Sequence, residues 1–156
     1  MSKSLTRVTR ALADHGLQIT PLEMGDQTRT AQQAADAAGC ALDQIAKSVI
    51  FAGQTSGTAI LFITAGGNQV DTAKASTVAG EALGKADAAL IRAQTGFAIG
   101  GVAPIGHLTK VTAFFDPRLL DFDEIWAAAG TPKHIFPIAP QVLLQISGAQ
   151  AADFTA

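Results

Sequence analysis

Glycines spaced between apolar residues mark the segment TGFAIGGVAPIGH, which runs from Thr95 to His107. Because glycine has no side chain, a ligand can approach its backbone closely, and exposed N–H groups there can bind a carbonyl or phosphate oxygen. The apolar residues between the glycines are unusual for a solvated turn. Two interpretations stay open on the residues alone: a surface turn between two elements, or the wall of a binding pocket.

The common phosphate-binding motifs do not account for this segment. The P-loop pattern G-x-x-x-x-G-K-[ST] is absent, because Gly106 is followed by His107 and Leu108. A dinucleotide-binding G-x-G-x-x-G segment leaves a strand and opens a helix. Here the segment follows a predicted helix and precedes a predicted strand, so the sequence favours neither kind of nucleotide loop.

Lys47 is the cation best placed for chemistry, because it immediately precedes the apolar run SVIFAG. In a cleft at a sheet edge, its ammonium would polarise an ester carbonyl or hold a phosphate or a ribose hydroxyl. The alternative is a solvated lysine at the end of a strand. His107 is either a general base or a polar loop residue, and the sequence shows no partner for it.

Other reactive side chains lack the neighbours that their chemistry requires. Cys40 is the only cysteine, so no disulfide forms within the chain, and no paired base marks it as a nucleophile. His15, His107 and His134 are too far apart along the chain to show a zinc-ligand spacing. No serine lies in G-x-S-x-G, so an α/β-hydrolase triad has no support. We therefore expect no metal ion and no cofactor.

Hydrophobic periodicity and capping signals indicate the elements that position these residues. Helices are predicted at about 4–15, 30–39, 71–80, 87–96 and 139–146. Strands are predicted at 17–24, 47–53, 58–65, 111–116 and 133–138, while DEIWAAAG at 123–130 is compatible with either state. Strands and helices alternate irregularly, which favours a compact α/β or α+β domain around a mixed sheet.

Composition limits the class of protein. A chain of 156 residues with 48% apolar residues suits one domain, 1–156, with a substantial core. A net charge of −2 and the lack of a basic stripe argue against a general nucleic-acid binder, and we expect no DNA partner. Any nucleic acid is therefore held by a few local charges or by another protein. The first residues lack the apolar core of a signal peptide, and no apolar run approaches the roughly 20 residues of a membrane span. We expect a cytoplasmic protein without a membrane partner.

One family shows these segments in the same order along the chain. They are TAQQAADAAGC, QIAKSVIFAG, TAILFITAGGNQVDTAKAS, TGFAIGGVAPIGH, AFFDPRLL and AAAGTPKHIFPIAPQVLL. From about residue 5 to residue 148, the chain resembles the YbaK/ProX group, the free-standing relatives of the editing domain inserted in bacterial prolyl-tRNA synthetases. The lysine before the apolar strand and the G-G-V-x-P-x-G loop are the most specific parts of the resemblance.

The resemblance implies a mixed α/β fold with a central, partly barrel-like sheet flanked by helices. It implies trans-editing, the hydrolysis of the ester bond of mischarged aminoacyl-tRNA. Lys47 corresponds to the essential lysine of the family and is the expected catalytic residue. The expected substrate-binding residues are Thr30, Gly100, Gly101, Pro104, Gly106, His107 and Gly130.

An aminoacyl ester is already activated, so we expect hydrolysis with a cation, backbone N–H groups and a water positioned by a ribose hydroxyl. The expected partner is the acceptor end of a mischarged tRNA, with tRNA for proline first by family association, together with prolyl-tRNA synthetase. A non-catalytic module that binds tRNA ends or a nucleotide-like ligand, or a synthetase accessory protein, is the alternative. The amino acid removed stays open, because 127–129 are alanines where some relatives carry serine or glycine before Gly130.

Overall fold

A mixed sheet of eight strands forms the centre of the structure, a computed structural model that describes residues 2–25 and 30–156. The strands are β1 Leu22–Glu23, β2 Ile45–Gly53, β3 Ala59–Ala65, β4 Leu83–Lys85, β5 Thr112–Phe115, β6 Ile125–Ala128, β7 His134–Ile138 and β8 Gln150–Ala151. The helices are α1 Lys3–Asp14, α2 Ala31–Ala38, α3 Thr72–Ala79, α4 Ala88–Thr95 and α5 Pro140–Ser147. Short 3₁₀ helices occupy Leu42–Gln44 and Pro117–Asp121.

The strands follow the order β1-β7-β6-β2-β3-β5-β8, and β4 also pairs with β2. The pairs β2–β3 and β6–β7 are antiparallel hairpins, whereas β2–β6, β3–β5 and β5–β8 are parallel. Hairpins and parallel crossovers in one sheet define a mixed sheet. The predicted α/β fold with a central mixed sheet flanked by helices is confirmed.

Strand β2 has a different neighbour at each end of one edge. Its other edge pairs with β3 from 46 to 52. On the divided edge, β6 pairs with residues 45 and 46, and β4 pairs with residues 51–53. Residues 47–50 therefore have no strand beside them on this edge within the described part of the chain.

The helix boundaries follow the predicted capping signals. Thr30 and Gln33 form the capping box of α2, in which each side chain accepts the backbone N–H of the other residue at 3.1 Å. Asp71 and Asp87 accept backbone N–H groups at the starts of α3 and α4. Four helices end at a glycine in the left-handed conformation, which costs glycine no steric strain. These residues are Gly39, Gly80, Gly96 and Gly148.

The sequence prediction and the structure differ at the weaker elements. The ambiguous segment 123–130 forms β6, because buried Ile125 and Ala127 alternate with half-buried neighbours at the period of a strand. The predicted strand 17–24 shortens to Leu22–Glu23 at the sheet edge, since Pro21 has no N–H to donate to a ladder. Strands β4 and β8 are only three and two residues long, which is too short for a recognisable periodic pattern.

Three apolar clusters pack on the sheet. The largest holds the buried face of α1, and α4 and α5 also contribute; its largest residues include Leu12, Phe97, Phe115 and Phe136. A second cluster groups Phe62, Phe114 and Phe154 with Ala75 of α3. The third joins Ala34 and Ala35 of α2 to Met24, Ile45 and Ile135. Two of the clusters, the largest and the third, border the cavity described below.

Two glycines allow close packing between the segment 96–107 and the β6–β7 hairpin. A Cβ on Gly101 would lie 2.8 Å from the backbone carbon of Thr131. Gly130 has a φ of +97°, and a Cβ there would lie 2.7 Å from the carbonyl oxygen of Ser4 and 3.0 Å from Phe97. Backbone atoms cannot move aside as a flexible side chain can, so both positions require glycine.

We predict that Gly130→Ala destabilises the protein more than Gly148→Ala. Both residues have positive φ, so each substitution costs roughly 1–2 kcal/mol of backbone strain. Only Gly130 adds a steric clash, worth about a further 1–3 kcal/mol, because nothing lies within 4 Å of a Cβ on Gly148. Urea denaturation of the two variants measures the difference. Equal free energies of unfolding would contradict the packing described for Gly130.

Candidate active site

The unpaired stretch of β2 lies at a cavity of ≈ 700 Å³. All six residues from 45 to 50 line it, although successive side chains of a strand point to opposite faces of the sheet. The cavity therefore meets the strand at its edge. Lys47, at the centre of this stretch, is half-buried.

Four segments form the walls of the cavity. Thr30, Ala31 and Ala34 of the α2 region lie on one side, with Met24 beside them. The β6–β7 hairpin contributes Trp126, Ala128, Thr131, Pro132 and His134. The glycine segment contributes Ile99, Gly100 and Val102, and the end of β4 contributes Lys85 and Ala86.

The ammonium of Lys47 is held against a turn at the end of β3. Its Nζ donates a hydrogen bond to the carbonyl oxygen of Gly66 at 3.3 Å. Burial lowers the pKa of Lys47, and the negative charges of Asp116 and Asp43 oppose that shift. An ammonium has three protons to donate, so two remain for a ligand.

Two carboxylates hold the turn that carries this carbonyl. Asp116 Oδ2 accepts the N–H of Ala65 at 3.1 Å and the side-chain amide of Asn68 at 2.9 Å. Asp43 Oδ1 accepts the N–H of Gly67 at 2.8 Å. The acceptor for Lys47 is therefore fixed by groups outside the cavity.

His134 is a cavity residue that the sequence analysis considered only as a zinc ligand. Its Nδ1 lies 2.6 Å from Thr131 Oγ1, which also accepts the N–H of Lys133 at 3.2 Å. If the threonine hydroxyl donates to Nδ1, the neutral ring carries its proton on Nε2, for which the described residues supply no partner. That N–H would be available to a ligand. His134 immediately precedes the apolar run IFPI, much as Lys47 precedes SVIFAG, and this is the signal that could have indicated it.

The structure brings together some of the predicted site residues. Lys47, Thr30 and Gly100 line the same cavity. The Thr30 hydroxyl already accepts the N–H of Gln33 as a helix cap, so its place on the wall follows from α2. Gly100 has a φ of +90°, and no other atom lies within 4 Å of where its Cβ would be, so the cavity has room beside its backbone.

The remaining predicted site residues lie elsewhere. Pro104, Gly106 and His107 line a second cavity of ≈ 470 Å³ at the other end of the glycine segment. His107 Nε2 lies 2.7 Å from the carbonyl oxygen of Ala103, and burial lowers the pKa of its ring. Gly101 and Gly130 provide the close packing described above and do not line the Lys47 cavity.

Positive charge dominates the cavity walls. Lys47 and Lys85 are the charged residues among those that line it in the described structure. The described residues contain no cluster of three or more His, Cys, Asp or Glu side chains able to hold a metal ion. Of the described helices, none is long and apolar enough to cross a membrane. The site can offer cationic and neutral hydrogen-bond donors to an ester, a ribose or a phosphate.

Residues 26–146 match the family model of the aminoacyl-tRNA editing domain. The chain belongs to this family. The expected relation to the YbaK group is confirmed, and membership supports an aminoacyl-tRNA editing role, with the tRNA binding and deacylase chemistry that such a role implies. His107 lies within the matched region, whereas the second cavity that it lines also includes residues outside that region, such as Ala11 and Gln150.

Several known proteins are similar to the chain. A protein described as a "putative trans-editing enzyme for prolyl tRNA synthetase" has 43% identity and a TM-score of 0.93 over 100% of this chain and 99% of its own. The hypothetical protein APE2540 shares the fold, with 24% identity, a TM-score of 0.86, and coverage of 96% and 99% of the two chains. The uncharacterised protein YwhH of Bacillus subtilis (strain 168) is 30% identical over 125 residues, which is 80% of this chain and 79% of that protein.

We predict that Asp43→Asn moves the alkaline limb of the activity profile to lower pH. The negative charge of Asp43 raises the pKa of Lys47, so its removal lets burial lower that pKa further, and the ammonium is lost at a lower pH. The amide oxygen of an asparagine can still accept the Gly67 N–H, although the ion pair between Asp43 and Arg118 is also lost. Rates corrected for spontaneous ester hydrolysis give the profile.

The matched control is Asp153→Asn, which removes a carboxylate whose ion pair is with Lys74. The profile of this variant should coincide with that of the parent protein. If the Asp43 variant also coincided with the parent, the Lys47 ammonium would not control the alkaline limb.

Proposed function

We propose that the protein is a trans-editing deacylase that hydrolyses the ester bond of tRNA carrying a wrong small amino acid. The observation that carries the proposal is the ammonium of Lys47, which is held by the Gly66 carbonyl and belongs to a residue that lines a cavity in a member of the editing family. The ester of an aminoacyl-tRNA is activated, so hydrolysis requires stabilisation of a developing oxyanion more than a strong nucleophile.

The cavity supplies donors for that oxyanion. Lys47 keeps two protons beyond its bond to Gly66, and the proposed His134 tautomer presents Nε2–H. Water attacks the ester carbonyl, the carbonyl electrons become the oxyanion, and its collapse releases the amino acid and the ribose hydroxyl. Lys47 and His134 would stabilise the charge at the intermediate, where each such donor contributes most.

The attacking water needs a proton acceptor. The described lining residues include no carboxylate that could serve as a base. We assign this role to the free hydroxyl of the terminal ribose, which lies next to the ester in the substrate itself. It accepts the water proton while passing its own proton to the departing ribose oxygen, so the proton balance closes within the substrate. Lys47 would orient that hydroxyl or the ester.

Small side chains around the cavity favour a small amino acid. Ala34, Ala46, Ala86 and Ala128 all line it. Size discrimination by a pocket contributes only about 1–3 kcal/mol per methylene, which explains why cells use a separate hydrolytic site after aminoacylation. We propose tRNA for proline as the first candidate substrate and prolyl-tRNA synthetase as the partner, on the strength of the family relation and the similar trans-editing protein.

The mouth of the cavity offers contacts for the rest of the tRNA end. Ile99 lies on the cavity wall with 63% of its surface exposed, so its apolar side chain is accessible to a ligand. Lys85, also exposed, supplies a second cation. An apolar face beside a cation suits the terminal base and its phosphate.

We predict that the protein releases one small amino acid from mischarged tRNA and that Lys47→Ala lowers kcat/KM by about 10²–10³-fold. Alanyl-, cysteinyl-, seryl- and prolyl-tRNA for proline form the panel, beside seryl- and alanyl-tRNA of other identities. Lys110→Ala is the control, because Lys110 lines the second cavity. A substrate whose terminal ribose lacks the neighbouring hydroxyl should react poorly.

Retained binding with no release from any tRNA would instead favour a non-catalytic module that holds tRNA ends. Equal losses in the Lys47 and Lys110 variants would contradict the role given to this cavity. Circular dichroism establishes that both variants are folded.

We predict that Ile99→Ser raises KM about fivefold for the charged tRNA that the protein hydrolyses, which corresponds to roughly 1 kcal/mol of lost apolar contact. Leu108→Ser is the matched control, since Leu108 is 60% exposed and lines the second cavity. Its KM should stay at the parent value. A change of the same size in both variants would show that Ile99 makes no particular contact with the tRNA end.

A further inference from the structure

The divided edge of β2 directs hydrogen-bonding groups into the cavity. Ser48 lies opposite Ile63 in the β2–β3 ladder. The Ile63 carbonyl accepts the N–H of Asp116 at 2.8 Å, so Ile63 turns its backbone groups away from β2. Two opposed residues of an antiparallel pair direct their backbone N–H and C=O groups either both towards each other or both away from each other. Ser48 therefore turns its N–H and C=O away from β3.

The alternation of the strand extends this pattern along the edge. Backbone groups of even-numbered residues point away from β3, as Gln54 also shows by donating to Ala82 beyond β4 at 2.9 Å. Ala46 lies beside β6 and Ala52 lies beside β4. Ser48, between them, has no strand to pair with among the described residues, and Ile50 faces Ala86 just beyond the end of β4. Both line the cavity.

Ser48 also carries a polar side chain. Ser48 Oγ is buried and has no hydrogen-bond partner in the described structure. Buried polar atoms without partners are uncommon in folded proteins, and each one calls for an explanation such as a ligand or an ordered water. This hydroxyl is independent of the ladder geometry and marks the same residue.

An aminoacyl group needs an acceptor for its α-amino protons. The described lining residues provide no carboxylate for this purpose, and both charged residues among them are cations. Backbone carbonyl groups at the β2 edge are neutral acceptors in the right place. An aminoacyl group also presents N–H and C=O in the order of a strand residue, which an unpaired edge can bind with two hydrogen bonds.

We propose that Ser48 and Ile50 bind the aminoacyl group as a one-residue strand that completes the gap between β6 and β4. The Ser48 carbonyl accepts an α-amino proton, and the Ile50 N–H donates to the ester carbonyl, which is the pairing of a parallel strand. The side-chain ammonium of Lys47, which lies between these two residues, then contacts the ester. The inference rests on the proposed function for the identity of the ligand, while the edge itself follows from the ladder.

Binding probes test this inference without catalysis. The probes are adenosines that carry alanine, lactate or propionate on the 3′ position through an amide, which cannot be hydrolysed as an ester. The alanyl and lactyl groups each have a donor on the α-carbon, whereas the propionyl group has none. Loss of one hydrogen bond to a buried acceptor costs about 1–3 kcal/mol, so we expect the propionyl probe to bind about 5–150-fold more weakly than the alanyl probe.

Two-dimensional ¹H–¹⁵N NMR spectra show which backbone amides contact the bound probe. The alanyl probe should shift the N–H signals of Ser48 and Ile50 and slow their exchange with solvent. Signals in the second cavity, such as that of Lys110, should not change. Equal affinity for all three probes, or binding without shifts at Ser48 and Ile50, would overturn the proposal.

The alternative is that a carboxylate, and not the strand edge, binds the α-amino group. Asp26, which lies outside the described residues, is the carboxylate used to test it. If a carboxylate bound the ammonium ion, Asp26→Asn would weaken binding of the alanyl probe far more than binding of the lactyl and propionyl probes. We do not expect this result. Edge shifts with the alanyl probe but no release of amino acid from any tRNA would refute the proposed deacylase while leaving the edge as a binding site.

Discussion

The buried carboxylate of Asp116 is the interaction on which the site depends. The residue is only 2% exposed, yet its oxygens accept N–H groups from Ala65, Asn68 and Arg118. These hydrogen bonds replace the hydration that the carboxylate loses on burial. Asp116 joins the end of β3 to the 3₁₀ helix Pro117–Asp121, which follows β5. It also places negative charge near the Lys47 ammonium. The cation in the cavity is thus balanced by an anion that a ligand does not meet.

Strand β2 contributes several parts of the site at once. It supplies the cation, the edge that faces the cavity, and the points at which β6 and β4 join the sheet. The glycine segment and the β6–β7 hairpin can approach this edge because Gly101 and Gly130 leave no side chain between them and their neighbours. One strand therefore carries the candidate catalytic residue and also organises the sheet. The cavity is present because β6 and β4 leave residues 47–50 of β2 unpaired on that edge.

Local signals in the sequence predicted much of the fold. The capping box at Thr30, the aspartates at 71 and 87 and the glycines after four helices act within a few residues, so the sequence shows them directly. Lys47 could be singled out by its place before an apolar strand. The cavity could not, because it depends on which strands flank β2, and that is set by pairing between distant segments. The same reason hides His134, Lys85 and the division of the glycine segment between two cavities.

The exposed backbone of a strand edge is normally an aggregation hazard, since it can pair with the edge of another molecule. In this protein the unpaired stretch of β2 is recessed between the α2 region, the hairpin and the glycine segment. A flat strand from a second chain would have to pass these walls before reaching it. The walls thus admit a short extended group and exclude a long one, so the fold keeps a reactive edge without the risk of intermolecular sheet growth.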